Sequence, residues 1–180
     1  MSALKTFIFV AWLVFWGYWL IAAVAAKKGS RTARSRPPGL LILVVMFAAS
    51  RAFKANGLVI HSTALEVVGL TLFLCGLALA VWARIYLGRN WGMPMTQKEE
   101  PELVTSGPYH FVRHPIYSGI LLALLGTSLA TNYYWLIACV LIGAYFIYSA
   151  REEEKLLTTS FPTAYPNYRA KSKMLIPFVL

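Results

Sequence analysis

The sequence predicts an all-α integral membrane protein with five transmembrane helices, its N-terminus outside and its C-terminus in the cytoplasm. The 180-residue chain is 58% hydrophobic and only 13% charged, which differs from the composition of an average soluble domain. Its apolar residues fall in blocks, and several of them approach the roughly 20 residues that a membrane-crossing helix needs. Its basic residues are divided unevenly between the loops that these blocks define.

Five apolar segments supply the predicted spans. They lie at residues 5 to 26, 38 to 53, 63 to 87, 116 to 131 and 133 to 149. The first has no charged residue from Phe7 to Ala26, and its length and tryptophans favour a retained anchor over a signal peptide. The second is short enough to be a re-entrant segment.

The distribution of basic residues favours a crossing at the second segment. With five spans, 14 of the 17 Lys and Arg residues lie on one side, and Lys5, Arg51 and Lys54 lie on the other. If the second segment does not cross, the division becomes 7 against 10. The positive-inside rule therefore favours five spans. The net charge of +10 is then explained by cytoplasmic loops and anionic lipid, without nucleic acid.

The chain divides near residue 60. Residues 1 to 60 hold the first two spans and a basic cytoplasmic loop, whereas 61 to 180 hold the last three spans, a long loop over 88 to 115 and a C-terminal helix. Cys75 and Cys139 lie inside apolar blocks. They predict small buried side chains rather than a disulfide or a metal site.

The last two spans are predicted to form a tight antiparallel hairpin, because only Thr131 and Asn132 separate them. Gly119 and Gly126 lie seven residues apart on one helical face, which allows close approach of another helix in lipid. The hairpin places the residues before the fourth span beside those after the fifth. A site that uses both flanks therefore lies at the cytoplasmic mouth of the bundle.

The stretch before and into the fourth span is GPYHFVRHPIYSG, residues 107 to 119. Pro115 predicts the first turn of a helix and an extended residue before it. His114 then lies just outside the helix, with Arg113 beside it. Free backbone N–H groups, the positive end of the helix dipole and the arginine together predict an anion site.

The flank after the fifth span is AREEEKLL, residues 150 to 157. Successive helical residues turn by about 100°, so the three glutamates cannot all face one pocket. Arg151 is placed to neutralise Glu154 in part, whereas Glu153 has no local cation at helical spacing. An anion site beside carboxylates suits a ligand that carries both charges. From the residues alone, interfacial snorkelling and a solvated glutamate face remain open as alternatives.

The motif ELVTSGPYHFVRHPIYSG, residues 102 to 119, is followed after two apolar spans by EEEKLL, FPTAYPNY and LIP. Over residues 82 to 180, this order closely resembles the isoprenylcysteine carboxyl methyltransferase family. The resemblance implies an integral membrane enzyme that uses S-adenosyl-L-methionine. The cofactor would bind between the last two spans, the loop before them and the C-terminal helix, which makes residues 61 to 180 the methyltransferase core.

The resemblance also implies which residues form the site. It implies catalytic roles for Arg113, His114 and Tyr117. The cofactor-binding positions that it implies are Leu103, Val104, Gly107, Tyr109, Arg113, His114, Pro115, Tyr117, Glu153 and Glu154. Arg113 or His114 would hold the cofactor carboxylate, Glu153 or Glu154 its ribose or amino group, and the Tyr117 ring would face the sulfonium.

Three further positions are assigned to an acceptor entrance or, equally, to interfacial anchors: Arg84, Arg89 and Trp91. Two positions depart from the family pattern. Glu102 stands where relatives commonly have histidine, and Pro162 replaces the usual glycine after Phe161.

The function implied is methyl transfer to the carboxylate of an isoprenylcysteine-like or other small lipophilic acceptor. A carboxylate needs no general base, and no metal is expected. Alternatives that keep the cofactor are a phospholipid amine, for which Glu102 or His110 could accept the proton, and a thiol. A small transporter or membrane subunit is disfavoured, because the polar residues cluster at one mouth. The expected partners are membrane lipids and a prenylcysteine or lipophilic acceptor. The expected location is a bacterial inner membrane, with the site facing the cytoplasm.

Overall fold

A computed structural model describes residues 3–24, 29–31, 60, 62–90, 96–98 and 102–176 of the chain. The helices are α1 (Ala3–Val24), α2 (Thr63–Leu87), α3 (Pro115–Thr131), α4 (Trp135–Ser160) and α5 (Ala164–Lys171). Two short 3₁₀ turns span Gly88–Asn90 and Gly107–His110. Two three-residue strands, β1 (Gly29–Arg31) and β2 (Thr96–Lys98), pair antiparallel.

The described helices agree with four of the five predicted spans. α1, α2 and α4 are long and apolar enough to cross a membrane, and α3 is a shorter apolar helix. The predicted second span, residues 38 to 53, lies outside the described residues. α4 continues past residue 149, where the last span was predicted to end, to Ser160. The paired strands are a small departure from the all-α prediction, since two loop segments satisfy backbone groups through each other.

Glycines allow α2 and α3 to pack with their backbones in close contact. Gly126 faces Gly69, and Gly119 faces Gly76, so that a Cβ on either α3 glycine would lie 2.5 or 2.6 Å from the opposing carbonyl oxygen. Small residues of this kind let helix backbones approach where lipid removes the usual hydrophobic driving force. The predicted close-approach face of α3 is thus confirmed, and the helix that packs there is α2.

α3 and α4 form the predicted hairpin through a turn at residues 132 to 134. The Asn132 side-chain oxygen accepts a hydrogen bond from the Tyr134 backbone N–H at 2.8 Å, and its carbonyl accepts one from Trp135 at 3.1 Å. At the far end of the hairpin, the rings of Tyr117 and Phe146 stack with centroids 4.2 Å apart. The turn therefore brings the two polar flanks to the same end of the bundle.

α1 packs on the other helices through one stripe of side chains. Trp12 Nε1 donates a hydrogen bond to Thr127 Oγ1 of α3 at 3.1 Å. Ile8 shares a buried apolar cluster with Phe73, whereas Trp19 shares the next cluster with residue 83 further along α2. α1 and α2 therefore run in the same direction. The β1–β2 pairing agrees, because each strand follows the C-terminal end of one of these helices.

Candidate active site

The residues before α3 are held by hydrogen bonds against residues 172 to 176, which we call the C-terminal segment. Backbone N–H groups of Arg113 and His114 donate to the carbonyls of Lys173 and Met174 at 2.8 and 3.0 Å. The Ser118 hydroxyl donates to another carbonyl of the same segment, that of residue 175, at 2.5 Å. These bonds fix His114 as the residue that precedes α3, with Pro115 as the first helical residue, as the sequence predicts. The C-terminal segment therefore covers one side of the mouth between α3 and α4.

The loop that leads into this turn carries four of the predicted cofactor residues. Leu103 and Val104 are half-buried, and Tyr109 is buried with its carbonyl accepting a hydrogen bond from the Tyr168 hydroxyl at 2.6 Å. Gly107 has a φ of 59°, and a Cβ there would lie 2.5 Å from the Tyr86 ring. Only glycine meets both conditions without strain, so this residue type is dictated by the backbone.

Three rings stack at the end of the α3–α4 hairpin opposite its turn. Tyr117 lies between His114, whose ring centroid is 5.5 Å away with an interplanar angle of 6°, and Phe146, at 4.2 Å and 11°. All three side chains are buried. Stacking fixes the orientation of all three rings, and the faces of Tyr117 and Phe146 are electron-rich. This ring stack is the main apolar feature of the site.

Glu153 closes the polar side of the ring stack. Its Oε1 accepts a hydrogen bond from the Tyr117 hydroxyl at 2.6 Å, and its Oε2 lies 3.4 Å from His114 Nδ1. The carboxylate retains 24% exposure, whereas the His114 side chain is 7% exposed. Glu153 is therefore the acid of this cluster that an incoming ligand can reach.

Glu154 has a different role. Its Oε1 accepts a hydrogen bond from Arg113 Nε at 2.7 Å, and the pair is almost fully buried. Arg113 Nη1 also donates to the carbonyls of Ser172, through a short hydrogen bond, and of Arg169, at 3.4 Å. The guanidinium thus ties α4 to α5 and to the C-terminal segment. We call Arg113, Glu154 and these two carbonyls the clamp.

The third glutamate faces away. Glu152 pairs with Lys155 at 2.7 Å in an exposed contact within the same helical surface. The prediction that the glutamate run cannot all face one pocket is confirmed. The predicted local partner of Glu154 is wrong, because Arg151 is exposed while Glu154 is paired with Arg113 across 41 residues of chain.

The pKa of His114 reflects two opposed influences. Burial lowers it, but the nearby Glu153 and Glu154 carboxylates outweigh burial and hold the pKa above the ordinary value of 6.5. A histidine whose pKa is higher in the folded than in the unfolded protein stabilises the fold. For His114 this contribution is fully present below pH 6.5, and it is lost as the pH rises through the pKa of the folded protein. The thermal unfolding temperature should therefore fall with rising pH in the wild-type protein and stay flatter in His114→Gln. Parallel profiles would contradict this assignment.

Arg113→Lys should loosen the C-terminal segment while keeping the charge. A lysine has no planar fork and cannot replace contacts to a carboxylate and two carbonyls together. Tryptic cleavage after Lys171 and Lys173 should accelerate several-fold in limited proteolysis of the folded protein. Arg151→Lys is the matched control, because Arg151 is exposed on α4. Equal cleavage rates in the two variants would argue against the clamp.

The predicted entrance residues do not form one described surface. Arg84 is buried, with 5% exposure, and its Nη1 donates to the Gly88 carbonyl at 2.5 Å, so it fastens the end of α2. Arg89 lies in the following 3₁₀ turn, but its side chain is outside the described part of the chain, as is Trp91. An entrance role for Arg84 itself is difficult to reconcile with its burial.

Sequence reasoning missed Phe146 and the backbone acceptors of the clamp. Phe146 stands seven residues before Glu153, which is two helical turns and the same face. That spacing was available in the sequence, although one phenylalanine within an apolar run carries little signal. The carbonyls of Arg169 and Ser172 have no sequence signature, since any residue supplies a carbonyl.

The fold and the site together define a helical membrane protein with a buried ring stack at one end of its helices. Two neighbouring carboxylates, Glu153 and Glu154, lie beside the stack. Residues 65–164 match a family described as phospholipid methyltransferase. This match covers more than half of the chain. The chain therefore belongs to the phospholipid methyltransferase family.

Two curated relatives extend this result. The chain is 33% identical over 115 residues to protein-S-isoprenylcysteine O-methyltransferase B of Arabidopsis thaliana, covering 62% of this chain and 58% of that protein. It is 32% identical over 111 residues to the cobalt-zinc-cadmium resistance protein CzcN of Cupriavidus metallidurans, covering 60% of this chain and 49% of that protein. The chain spans about half the length of the curated relatives it matches.

A solved structure shares the fold. The eukaryotic intramembrane Ras methyltransferase, an isoprenylcysteine carboxyl methyltransferase, superposes with a TM-score of 0.70 at 22% sequence identity. The match covers 99% of this chain and 69% of that one. The resemblance to the isoprenylcysteine carboxyl methyltransferase family is thus confirmed, and the fold is of that type.

Proposed function

We propose that the protein is a membrane methyltransferase that binds S-adenosyl-L-methionine beside the ring stack. The observation that carries this proposal is the contact between the two polar flanks. Tyr117 from the fourth predicted span donates to Glu153 beyond the fifth at 2.6 Å, next to stacked rings. Residues 61 to 180 form the methyltransferase core in this proposal.

The residues of the site fit such a cofactor in charge and chemical type. A sulfonium is attracted to the face of an aromatic ring, and in the ring stack this is the Phe146 face turned away from Tyr117, because Tyr117 lies between His114 and Phe146. Glu153 accepts hydrogen bonds from hydroxyl or ammonium groups, and protonated His114 supplies a positive charge for a carboxylate. When bound, the cofactor supplies an electrophilic methyl group on positively charged sulfur.

The proposal divides the predicted site residues by role. His114, Tyr117 and Glu153 contact the cofactor, and the loop residues Leu103, Val104, Gly107 and Tyr109 border it. Pro115 starts α3 and thereby sets the position of Tyr117. Arg113 and Glu154 act as positioning residues. Arg113 Nε donates to the Glu154 carboxylate, and Arg113 Nη1 donates to two backbone carbonyls. Of the two residues predicted to hold the cofactor carboxylate, Arg113 or His114, this division favours His114.

The acceptor that fits best is the carboxylate of an isoprenylcysteine-like or other small lipophilic molecule. The buried cluster that contains Tyr117 and Phe146 also contains Phe15 and Trp19 of α1, so the site borders an apolar aromatic wall. Exclusion of water favours a transfer in which charge disappears. The Arabidopsis relative is named for this reaction.

A phospholipid amine is the second candidate acceptor. The description of the matching family names phospholipids. An amine releases a proton, and Glu102 or His110 would accept it in this case. Both side chains are exposed, which suits exchange of that proton with water.

The proposed topology keeps five spans, with the C-terminus and the site on the cytoplasmic side of a bacterial inner membrane. The parallel course of α1 and α2 supports it, because the chain must return to the opposite side between Val24 and Thr63. The basic residues support the same orientation. Accessibility of single introduced cysteines in intact cells tests this topology at both ends of each helix.

Two measurements test the function. Purified full-length protein should bind S-adenosylhomocysteine in equilibrium titration. Transfer of a labelled methyl group should then be compared for a farnesylcysteine analogue, a phosphatidylethanolamine and a small thiol. The proposal expects the farnesylcysteine analogue to be preferred. Preference for the amine or thiol would retain the cofactor site and change the acceptor, whereas no binding by the folded protein would reject the proposal.

A further inference from the structure

A groove lies on the outer side of the turn that precedes α3. It has a volume of about 320 Å³ and is lined by Thr105, His110, Asn167, Tyr168 and Lys171. These residues come from the loop before α3 and from α5. The proposed function uses none of their side chains to bind the cofactor.

The turn Gly107–His110 separates the groove from the ring stack. Tyr109 belongs to the buried cluster that contains Tyr117, while its carbonyl accepts a hydrogen bond from the Tyr168 hydroxyl at 2.6 Å. Tyr168 thus closes the inner wall of the groove. A ligand in the groove would lie on the other side of this turn from Glu153.

The chemistry of the groove suits an anion. Its lining offers a hydroxyl, an amide, an imidazole and an ammonium group, and among the residues that the structure describes no carboxylic acid lines it. Lys171 is exposed, and Lys173, also exposed, follows two residues later. Basic residues near a bilayer surface attract anionic lipids.

An apolar side chain adjoins this groove. Phe111 is 56% exposed, and its ring centroid lies 5.3 Å from that of His110. Its carbonyl accepts a hydrogen bond from the Lys173 backbone N–H at 3.4 Å. Phe111 lies four residues before Pro115, where α3 begins, so it stands at the end of a predicted span.

We propose that this groove binds the phosphate headgroup of an anionic phospholipid, with Lys171 and His110 on the phosphate and Phe111 against the acyl chain. A phosphodiester accepts hydrogen bonds and carries a negative charge, which complements the ammonium group of Lys171. A lipid bound there would hold α5 and the C-terminal segment at the membrane surface, where they cover the candidate active site. This inference holds for a carboxylate acceptor, and for an amine acceptor with Glu102 as its proton acceptor, since a phosphate on His110 would occupy that imidazole.

The test is binding of a short-chain phosphatidylglycerol to the full-length protein in detergent, measured by native mass spectrometry. Phosphatidylcholine of equal chain length is the neutral comparison. Lys171→Gln should weaken phosphatidylglycerol binding about fivefold, the size of effect that one basic residue near an anionic surface contributes. Lys155→Gln is the control, because Lys155 is exposed and pairs with Glu152 on α4. Phe111→Ser should weaken binding of both lipids.

Four results would overturn the proposal. The first is equal retention of the two lipids by the wild-type protein, and the second is an equal loss in Lys171→Gln and Lys155→Gln. The third is displacement of the lipid by inorganic phosphate at equal concentration, which would indicate a site for free phosphate. Binding of S-adenosylhomocysteine should stay unchanged in Lys171→Gln. A parallel loss there would assign the groove to the cofactor site and also overturn the proposal.

Discussion

Gly126→Ala is expected to destabilise the protein by about 1–3 kcal/mol, the usual cost of forcing extra volume into a packed interface. The new Cβ would lie 2.3 Å from the Phe73 backbone nitrogen and 2.5 Å from the Gly69 carbonyl oxygen. Backbone atoms cannot rotate aside as a side chain can, so α2 and α3 would have to separate. Thermal unfolding of the purified protein in detergent measures the effect.

Gly17→Ala is the matched control for this substitution. Gly17 lies within α1, and a Cβ there would have no heavy atom within 4 Å. Alanine also favours a helix over glycine by nearly 1 kcal/mol, so stability should stay constant or rise slightly. Equal losses at Gly126 and Gly17 would show that the close approach of α2 and α3 is not what holds these helices together.

Glu153→Gln is expected to weaken binding of S-adenosylhomocysteine at least about tenfold, since hydrogen bonds to a charged group contribute roughly 1.5–3 kcal/mol. Methyl transfer should fall by at least the same factor. The amide oxygen of the glutamine can still accept the hydrogen bond from the Tyr117 hydroxyl. The thermal unfolding temperature should fall only by the loss of the contact with His114, so binding is compared at a temperature at which both proteins are folded.

The neighbouring glutamates provide the controls for Glu153. Glu152→Gln removes an equal charge one residue away, from an exposed pair with Lys155, and should leave cofactor binding unchanged. Glu154→Gln breaks the buried ion pair with Arg113, so its first effect should be reduced stability. Equal loss of binding in Glu152→Gln and Glu153→Gln would indicate that Glu153 contributes only its negative charge and makes no specific contact with the cofactor.

The helices were predictable because the thickness of a bilayer and the rise per residue of a helix set the length of an apolar segment that crosses it. That length can be counted in the sequence. The α3–α4 hairpin followed from its short connection, and the small-residue face of α3 followed from glycines seven residues apart. The partner of that face was not predictable. Gly69 and Gly76 carry the same spacing on α2, and matching the two pairs requires knowing that α2 and α3 run antiparallel side by side.

The candidate site shows a similar division. Pro115 gave the start of α3, and helical rotation showed that the three glutamates must face different surroundings. Which glutamate faced the ring stack depended on the angle between α3 and α4, and this angle is set by packing along the whole hairpin. The pairing of Glu154 with Arg113 spans 41 residues, so local spacing favoured the wrong arginine. The family resemblance pointed to both flanks, and Tyr117 of one flank contacts Glu153 of the other.

The most direct test of the central claim is photo-crosslinking of the full-length protein with S-adenosyl-L-methionine labelled in its methyl group. Labelled peptides would be mapped by mass spectrometry, with excess S-adenosylhomocysteine as competitor. The account predicts competitor-sensitive label near Tyr117 and in the part of α4 from Phe146 to Glu153. Label confined to α1, to the α3–α4 turn or to the groove at Lys171 would contradict it.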